Sequence, residues 1–130
     1  MLVLVDTSVW IEYFQRKNAQ IEKEMDGLLR SEKVATAGLV LAELRRGCRT
    51  PSQVRLMLDA MEPLPYLETD RTSWLKAGEI AAEASARGYK LEVGDCLLVA
   101  LVLREGCSLF TLDRDFSRVP GLKLHGIRPS

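Results

Sequence analysis

Apolar residues along this chain follow two rhythms. Leu2 to Val5 run four in a row without alternation, as in a short strand buried on both faces of a parallel sheet. Beyond Asp6-Thr7-Ser8, the residues Val9, Trp10, Tyr13 and Phe14 recur at helical spacing. Ile21, Met25, Leu28 and Leu29 mark one face of a helix over 19–31, with Glu22, Lys23, Glu24 and Asp26 on the other. Lys33 to Ala37 reads as a strand that Gly38 ends, and 39–47 as a helix stopped by Gly47. Pro51 opens a helix to about Met61, which Pro63 and Pro65 close. Tyr66 to Thr69 forms a short strand, and Asp70 caps a long helix over 72–87 closed by Gly88. Residues 95–105 are apolar almost all round and predict a helix buried on several sides. Ser108 to Leu112 is a strand, and Leu122 to His125 a last short one.

Strands alternating with helices predict an α/β three-layer sandwich. Its central sheet is mostly parallel, of four to five strands flanked by helices. No linker, repeat or low-complexity segment divides the chain, so residues 1–130 are read as a single domain. That length buries roughly two thirds of the unfolded surface in one core.

Composition narrows the function classes. With 47% hydrophobic and 28% charged residues the chain has the balance of an ordinary soluble protein. Its 18 basic and 18 acidic residues cancel, which argues against a protein that coats DNA and requires any basic patch to be local. The three cysteines Cys48, Cys96 and Cys107 have no Cys-x-x-Cys spacing, and with the single His125 they make no zinc set. A reducing, cytoplasmic setting fits them. The start lacks the basic region of a signal peptide. The longest apolar run, Cys96 to Leu103, is far short of the roughly 20 residues a membrane span needs.

The candidate chemistry lies in the acids. Asp6 ends the first strand, at the edge where open α/β sheets bind their ligands. Taken alone, Asp6 and Asp95 also read as helix caps, and Asp113 and Asp115 as turn residues. Glu43 is different, because it sits inside the apolar stretch Leu39-Val-Leu-Ala-Glu-Leu44 where no cap is needed. An unpaired carboxylate there is costly, although Arg46 at i+3 offers a partner. In a parallel sheet Asp6, Glu43, Asp95 and Asp113 can meet on one rim. Carboxylates crowded together repel one another unless a cation compensates, and a hard divalent ion with oxygen ligands does so. Such an ion assists displacement at phosphorus. One histidine cannot supply a two-histidine acid–base pair, so metal-dependent hydrolysis is favoured over histidine-driven strand cleavage.

Four stretches carry a resemblance. Val5-Asp6-Thr7-Ser8, Leu41-Ala42-Glu43-Leu44, Gly94-Asp95-Cys96-Leu97-Leu98-Val99-Ala100 and Thr111-Leu112-Asp113-Arg114-Asp115-Phe116 resemble the acidic motifs of PIN-domain ribonucleases. Length and motif order are similar to the VapC-type toxins of toxin–antitoxin pairs, across essentially the whole chain. The resemblance implies a PIN-like fold and a metal-dependent endoribonuclease acting on tRNA or rRNA with Mg²⁺ or Mn²⁺. Asp6, Glu43, Asp95 and Asp113 would be the catalytic, metal-binding acids. Asp115 would take a secondary role through water or structure, and Thr7, Ser8 and Thr111 a supporting one. The family's third acid usually follows an apolar or Pro-containing loop; here it follows Glu92-Val93-Gly94, which makes Glu92 an extra acid.

The resemblance also implies a homodimer and a cognate VapB-type antitoxin whose tail fills a groove near the site. Arg45, Arg46 and Arg49, with Arg55, form the one local basic cluster and could meet RNA phosphates or antitoxin acids. Arginines at a helix C-terminus also serve the dipole and solubility. Trp10, Tyr13 and Phe14 read as core, as groove lining or as a dimer face.

Competing classes are a haloacid-dehalogenase-type phosphatase, a phosphoacceptor signalling domain and a degenerate PIN domain that only binds. The phosphatase needs a second acid where Ser8 stands. The signalling domain needs adjacent acids after the first strand, whereas Asp6 lies between Val5 and Thr7; Asp70 is its nearest match for an acceptor.

Overall fold

A computed structural model describes residues 1–126. Its sheet has four strands, β1 (Val3–Val5), β2 (Val34–Ala37), β3 (Tyr66–Leu67) and β4 (Ser108–Phe110), in the order β3-β2-β1-β4. All neighbours are parallel, with Leu4 opposite Ala35 on one side and Leu109 on the other. Every residue of β1 and β2 is buried. That burial is why their sequences show no alternation.

Six helices connect the strands: α1 (Thr7–Gln15), α2 (Ala19–Arg30), α3 (Gly38–Gly47), α4 (Pro51–Met61), α5 (Arg71–Ala86) and α6 (Val93–Glu105). Strand order and crossover handedness together dictate the layers. Going from β1 to β2 to β3 the chain steps one way across the sheet, so right-handed crossovers put α1 to α4 on one face. From β3 to β4 it steps back past β1, which puts α5 and α6 on the opposite face. The packing follows, with α5 against α6, and α1 against both α2 and α3. The reversal falls between β1 and β4, and ligands of open α/β sheets bind outside the strand ends at such a point.

The core is continuous from α1 through the sheet to α6. Val9, Trp10, Ile21 and Met25 are fully buried, as is every residue from Cys96 to Val102 to within a few per cent. Of the aromatic stripe on α1, Trp10 is core, while Tyr13 and Phe14 are half-buried against it. Cys96 and Cys107 are buried thiols and Cys48 is half-buried; all three are free. No helix among the described residues is long and apolar enough to cross a membrane.

Three sequence expectations need correction. The strand β2 does end before Gly38, but α3 begins at Gly38 itself and not at Leu39, and a Cβ there would stand 2.8 Å from the Tyr66 hydroxyl, so glycine answers a close approach. Leu122 to His125 is not a fifth strand. It meets the sheet at the single bridge Leu109–Leu124, held by Leu109 N–H to the Lys123 carbonyl at 2.9 Å and His125 N–H to the Leu109 carbonyl at 2.8 Å. The third strand is also shorter than Tyr66 to Thr69, because pairing with β2 stops at Leu67 before Asp70 caps α5.

Candidate active site

Asp6 is the residue immediately past β1 and is 7% exposed. Its backbone N–H donates to the Phe110 carbonyl at 2.9 Å, fixing it beside the end of β4. Both carboxylate oxygens are used. Oδ1 accepts from the Thr7 N–H at 2.8 Å, which caps α1. Oδ2 accepts from the Ser8 hydroxyl at 3.0 Å and the Thr111 hydroxyl at 2.8 Å. Asp6 is therefore the expected cap on one oxygen, and on the other it joins the start of α1 to the loop after β4.

Ser8 and Thr111 extend this bracing to the loop after β4. The Leu112 N–H donates to the Ser8 hydroxyl at 3.2 Å, and the Asp113 N–H to the Thr111 hydroxyl at 3.1 Å. Asp113 then caps a short 3-10 turn over Arg114–Arg118, accepting from the Asp115 N–H at 2.9 Å through Oδ1. Asp113 and Asp115 are exposed. Asp115 enters this network through its backbone alone.

Of the two hydroxyls beside Asp6, Ser8 engages its carboxylate and the Thr7 side chain does not. Its hydroxyl instead donates to Glu43 Oε1 at 2.7 Å, tying the start of α1 to the middle of α3. Glu43 is half-buried and forms no ion pair among the described residues, so Arg46 does not neutralise it. Asp95 is no cap either. Helix α6 begins at Val93 with Glu92 as its N-cap residue, which leaves Asp95 in the first turn. Gly94 brings that turn close to α3, since a Cβ there would meet Leu39 Cδ2 at 3.1 Å.

The electrostatics state how these acids stand to one another. Burial, followed by the negative charges of Asp6, Asp113, Glu43 and Glu92, pushes the Asp95 carboxyl from its ordinary 3.8 up to about 6. Carboxylates from four chain segments act on one another at the strand ends. Among the described residues no three acidic, histidine or cysteine side chains are gathered closely enough to grip an ion as they stand. Asp6 and Glu43 are instead engaged by hydroxyls. The donor set is all oxygen, which suits a hard divalent cation, and such a charge would offset the burial and the repulsion that raise Asp95.

A cleft of about 300 Å³ opens beside Glu43, lined by Ile11, Phe14, Gln15, Leu56 and Met57. A second cavity, of about 350 Å³, continues past Phe14 and Leu56 to Trp10, Tyr13, Leu29 and Ala60. Sequence reasoning missed Ile11 and Leu56 as groove residues. Their signal was an apolar side chain on the outer side of an amphipathic helix, and they are 44% and 54% exposed. Of the basic cluster, Arg45, Arg49 and Arg55 line a separate cavity between α3 and α4, and Arg46 does not. Asp70, the nearest match for a phosphoacceptor, is committed to a capping box with Ser73 and lies outside this cluster.

Comparison with known proteins adds to this geometry. The PIN-domain family model matches residues 3–122. A VapC ribonuclease of Mycobacterium bovis and Ribonuclease VapC11 of Mycobacterium tuberculosis are each 26% identical over 134 residues, 98% of this chain and 100% of the relative. Among solved structures, VapBC2 from Rickettsia felis bound to a DNA fragment from its promoter superposes with a TM-score of 0.80. It is 22% identical and covers 96% of this chain and 98% of that one. VapC20 of Mycobacterium tuberculosis, a toxin that cleaves the sarcin–ricin loop, has a TM-score of 0.71 at 21% identity over 95% of this chain and 99% of that one. These structures share the fold.

Proposed function

The chain belongs to the PIN-domain family, and on that premise we propose that it is a metal-dependent endoribonuclease serving as the toxin of a cytoplasmic toxin–antitoxin pair. Asp6, Glu43, Asp95 and Asp113 are the acids that would hold Mg²⁺ or Mn²⁺, with Asp115 behind Asp113. The observation that carries this is that hydroxyls tie Asp6 to the Asp113 loop and the start of α1 to Glu43, while the charges of Asp6, Asp113, Glu43 and Glu92 add to burial in raising Asp95. A divalent ion bound there supplies Lewis acidity toward a phosphodiester and its attacking water.

The remaining work belongs to the chain. Ser8 and Thr111 hold Asp6 in one rotamer, and Thr7 does the same for Glu43. With the acids braced before substrate arrives, less ordering remains to be done when RNA and ion bind. RNA, with tRNA or rRNA the class the resemblance favours, would lie across the strand ends. The apolar groove between α1 and α4, from Ile11 and Leu56 to Tyr13, suits an amphipathic tail of a VapB-type antitoxin, because it pairs exposed apolar walls with flanking polar residues. The curated relatives, named as VapC ribonucleases and matched end to end, support the enzyme class. The protein would act as a homodimer, as the family resemblance implies.

The test is cleavage of a structured RNA by purified protein and by Asp6→Asn and Asp95→Asn. Each substitution should cost more than the roughly 10–100-fold that losing an outer-shell contact costs at a metal site. Two variants that both cleave like the wild type would remove the assignment.

A further inference from the structure

A cavity of about 720 Å³ lies between α3 and α4. Arg45 enters it from α3, Arg49 from the segment that follows, and Arg55 from α4. All three are exposed, and none forms an ion pair among the described residues. Asp59 and Glu62 also line the cavity, one and two turns farther along α4 than Arg55, so its positive end is the end toward the α3–α4 turn. Cys48 lines both this cavity and the cleft that contains Glu43. Glu43 and Cys48 are five residues apart, about 7.5 Å along the axis at 1.5 Å per residue. The two spaces therefore adjoin.

From this placement we infer that the Arg45–Arg49–Arg55 cavity holds phosphates of the RNA strand next to the scissile position. The inference rests on the ribonuclease reading and adds to it where the substrate's backbone goes. Position favours RNA over an acidic peptide, because on the ribonuclease reading the RNA backbone must pass the acids to be cut and an acidic peptide need not reach them. The chain has zero net charge and the proposed site is ringed by carboxylates, so a polyanion gains nothing from the global field and is repelled at the site itself. A substrate of that charge requires cations near the acids, and Arg45 follows Glu43 by two residues on α3. Guanidinium groups also match phosphate oxygens in a two-pronged geometry that an ammonium cannot reproduce. The apolar groove on the other side of α4 is, by contrast, the surface suited to a helix.

The measurement is affinity of a short fluorescent single-stranded oligouridylate across a KCl series, on the Asp95→Asn background so that the RNA stays intact. Counterion release on a single strand contributes about 0.7 to the slope of log K against log salt per phosphate contact. Replacing Arg45, Arg49 and Arg55 together by Ala should make the slope shallower by roughly 2 and weaken binding roughly tenfold or more at moderate salt. The triple Lys variant should keep most of the slope, which separates charge from folding. Arg46→Ala, a neighbouring arginine outside the cavity, should leave the slope nearly unchanged. Unchanged affinity and slope in the triple Ala variant would overturn the inference, and so would an equal loss from Arg46→Ala. Displacement of the RNA by polyglutamate at matched charge would reassign the cavity to an acidic peptide. The ribonuclease reading fails separately, if wild-type protein supplied with Mg²⁺ or Mn²⁺ leaves RNA uncut.

Discussion

At the residue scale the protein spends stability on its acids. Asp95 titrates near 6 in the fold against an ordinary 3.8, so between those values the folded chain binds more protons than the unfolded one. Stability from this group therefore falls as pH rises through that interval, and above it the ionised carboxylate is a standing repulsive load. Without divalent ions, Asp95→Asn should melt at a higher temperature than the wild type at pH 8. The gap should close as pH drops below about 4, where both carry a neutral side chain. Equal melting temperatures at pH 8 would mean that neither burial nor the neighbouring carboxylates disfavour the ionised Asp95. Thr111 makes a second residue-scale case, because its hydroxyl donates to Asp6 and accepts from the Asp113 N–H. Thr111→Val should lower RNA cleavage roughly 10–100-fold and raise the Mg²⁺ concentration needed, while Thr111→Ser restores both. A Val variant with an unaltered Mg²⁺ titration would show that the hydroxyl merely packs. That Asp6, Ser8, Thr111 and Asp113 fall beside one another was legible from their places at strand ends. The pairing of Thr7 with Glu43 was not, because those residues lie 36 positions apart and meet only once α1 and α3 pack.

At the element scale the legible features were those that burial dictates. An unbroken apolar run announced β1, and the run from Cys96 to Leu103 announced a helix enclosed by sheet and α5. What stayed hidden depended on neighbours far along the chain. Gly38 stops β2 as its sequence suggested, but its room for the Tyr66 hydroxyl was not legible there. Leu122 to His125 had a strand's composition but finds only one residue pair to bridge. Asp95 looked like a cap because Gly94 precedes it, yet α6 starts two residues earlier than Asp95. The enclosure of α6 yields a stability prediction. Leu98 is fully buried, so Leu98→Ala should cost about 2–5 kcal/mol. Urea denaturation would show this as a lower midpoint with the same slope, and a cost under about 1 kcal/mol would contradict the packing described for α6.

At the scale of the whole molecule, the strand order β3-β2-β1-β4 decides where chemistry is possible. It places the reversal of the crossovers between β1 and β4, where Asp6 is hydrogen-bonded to the end of β4 and braced by Thr111. Helices from both faces bring Glu43 and Asp95 to the same edge, so a neutral protein acquires one strongly acidic rim. A ligand that binds only the folded state stabilises it by mass action, about 2.7 kcal/mol at a hundredfold excess over Kd. Mg²⁺ or Mn²⁺ should therefore raise the melting temperature of the wild type and leave Asp6→Asn nearly unmoved. The most direct measurement is single-turnover cleavage of a structured RNA in excess chelator, followed by readdition of Mg²⁺. The acidic rim predicts no cleavage under chelation and full recovery on readdition for the wild type, with no recovery for Asp6→Asn. Cleavage that persists in chelator, or that Mg²⁺ restores equally to Asp6→Asn, would contradict it.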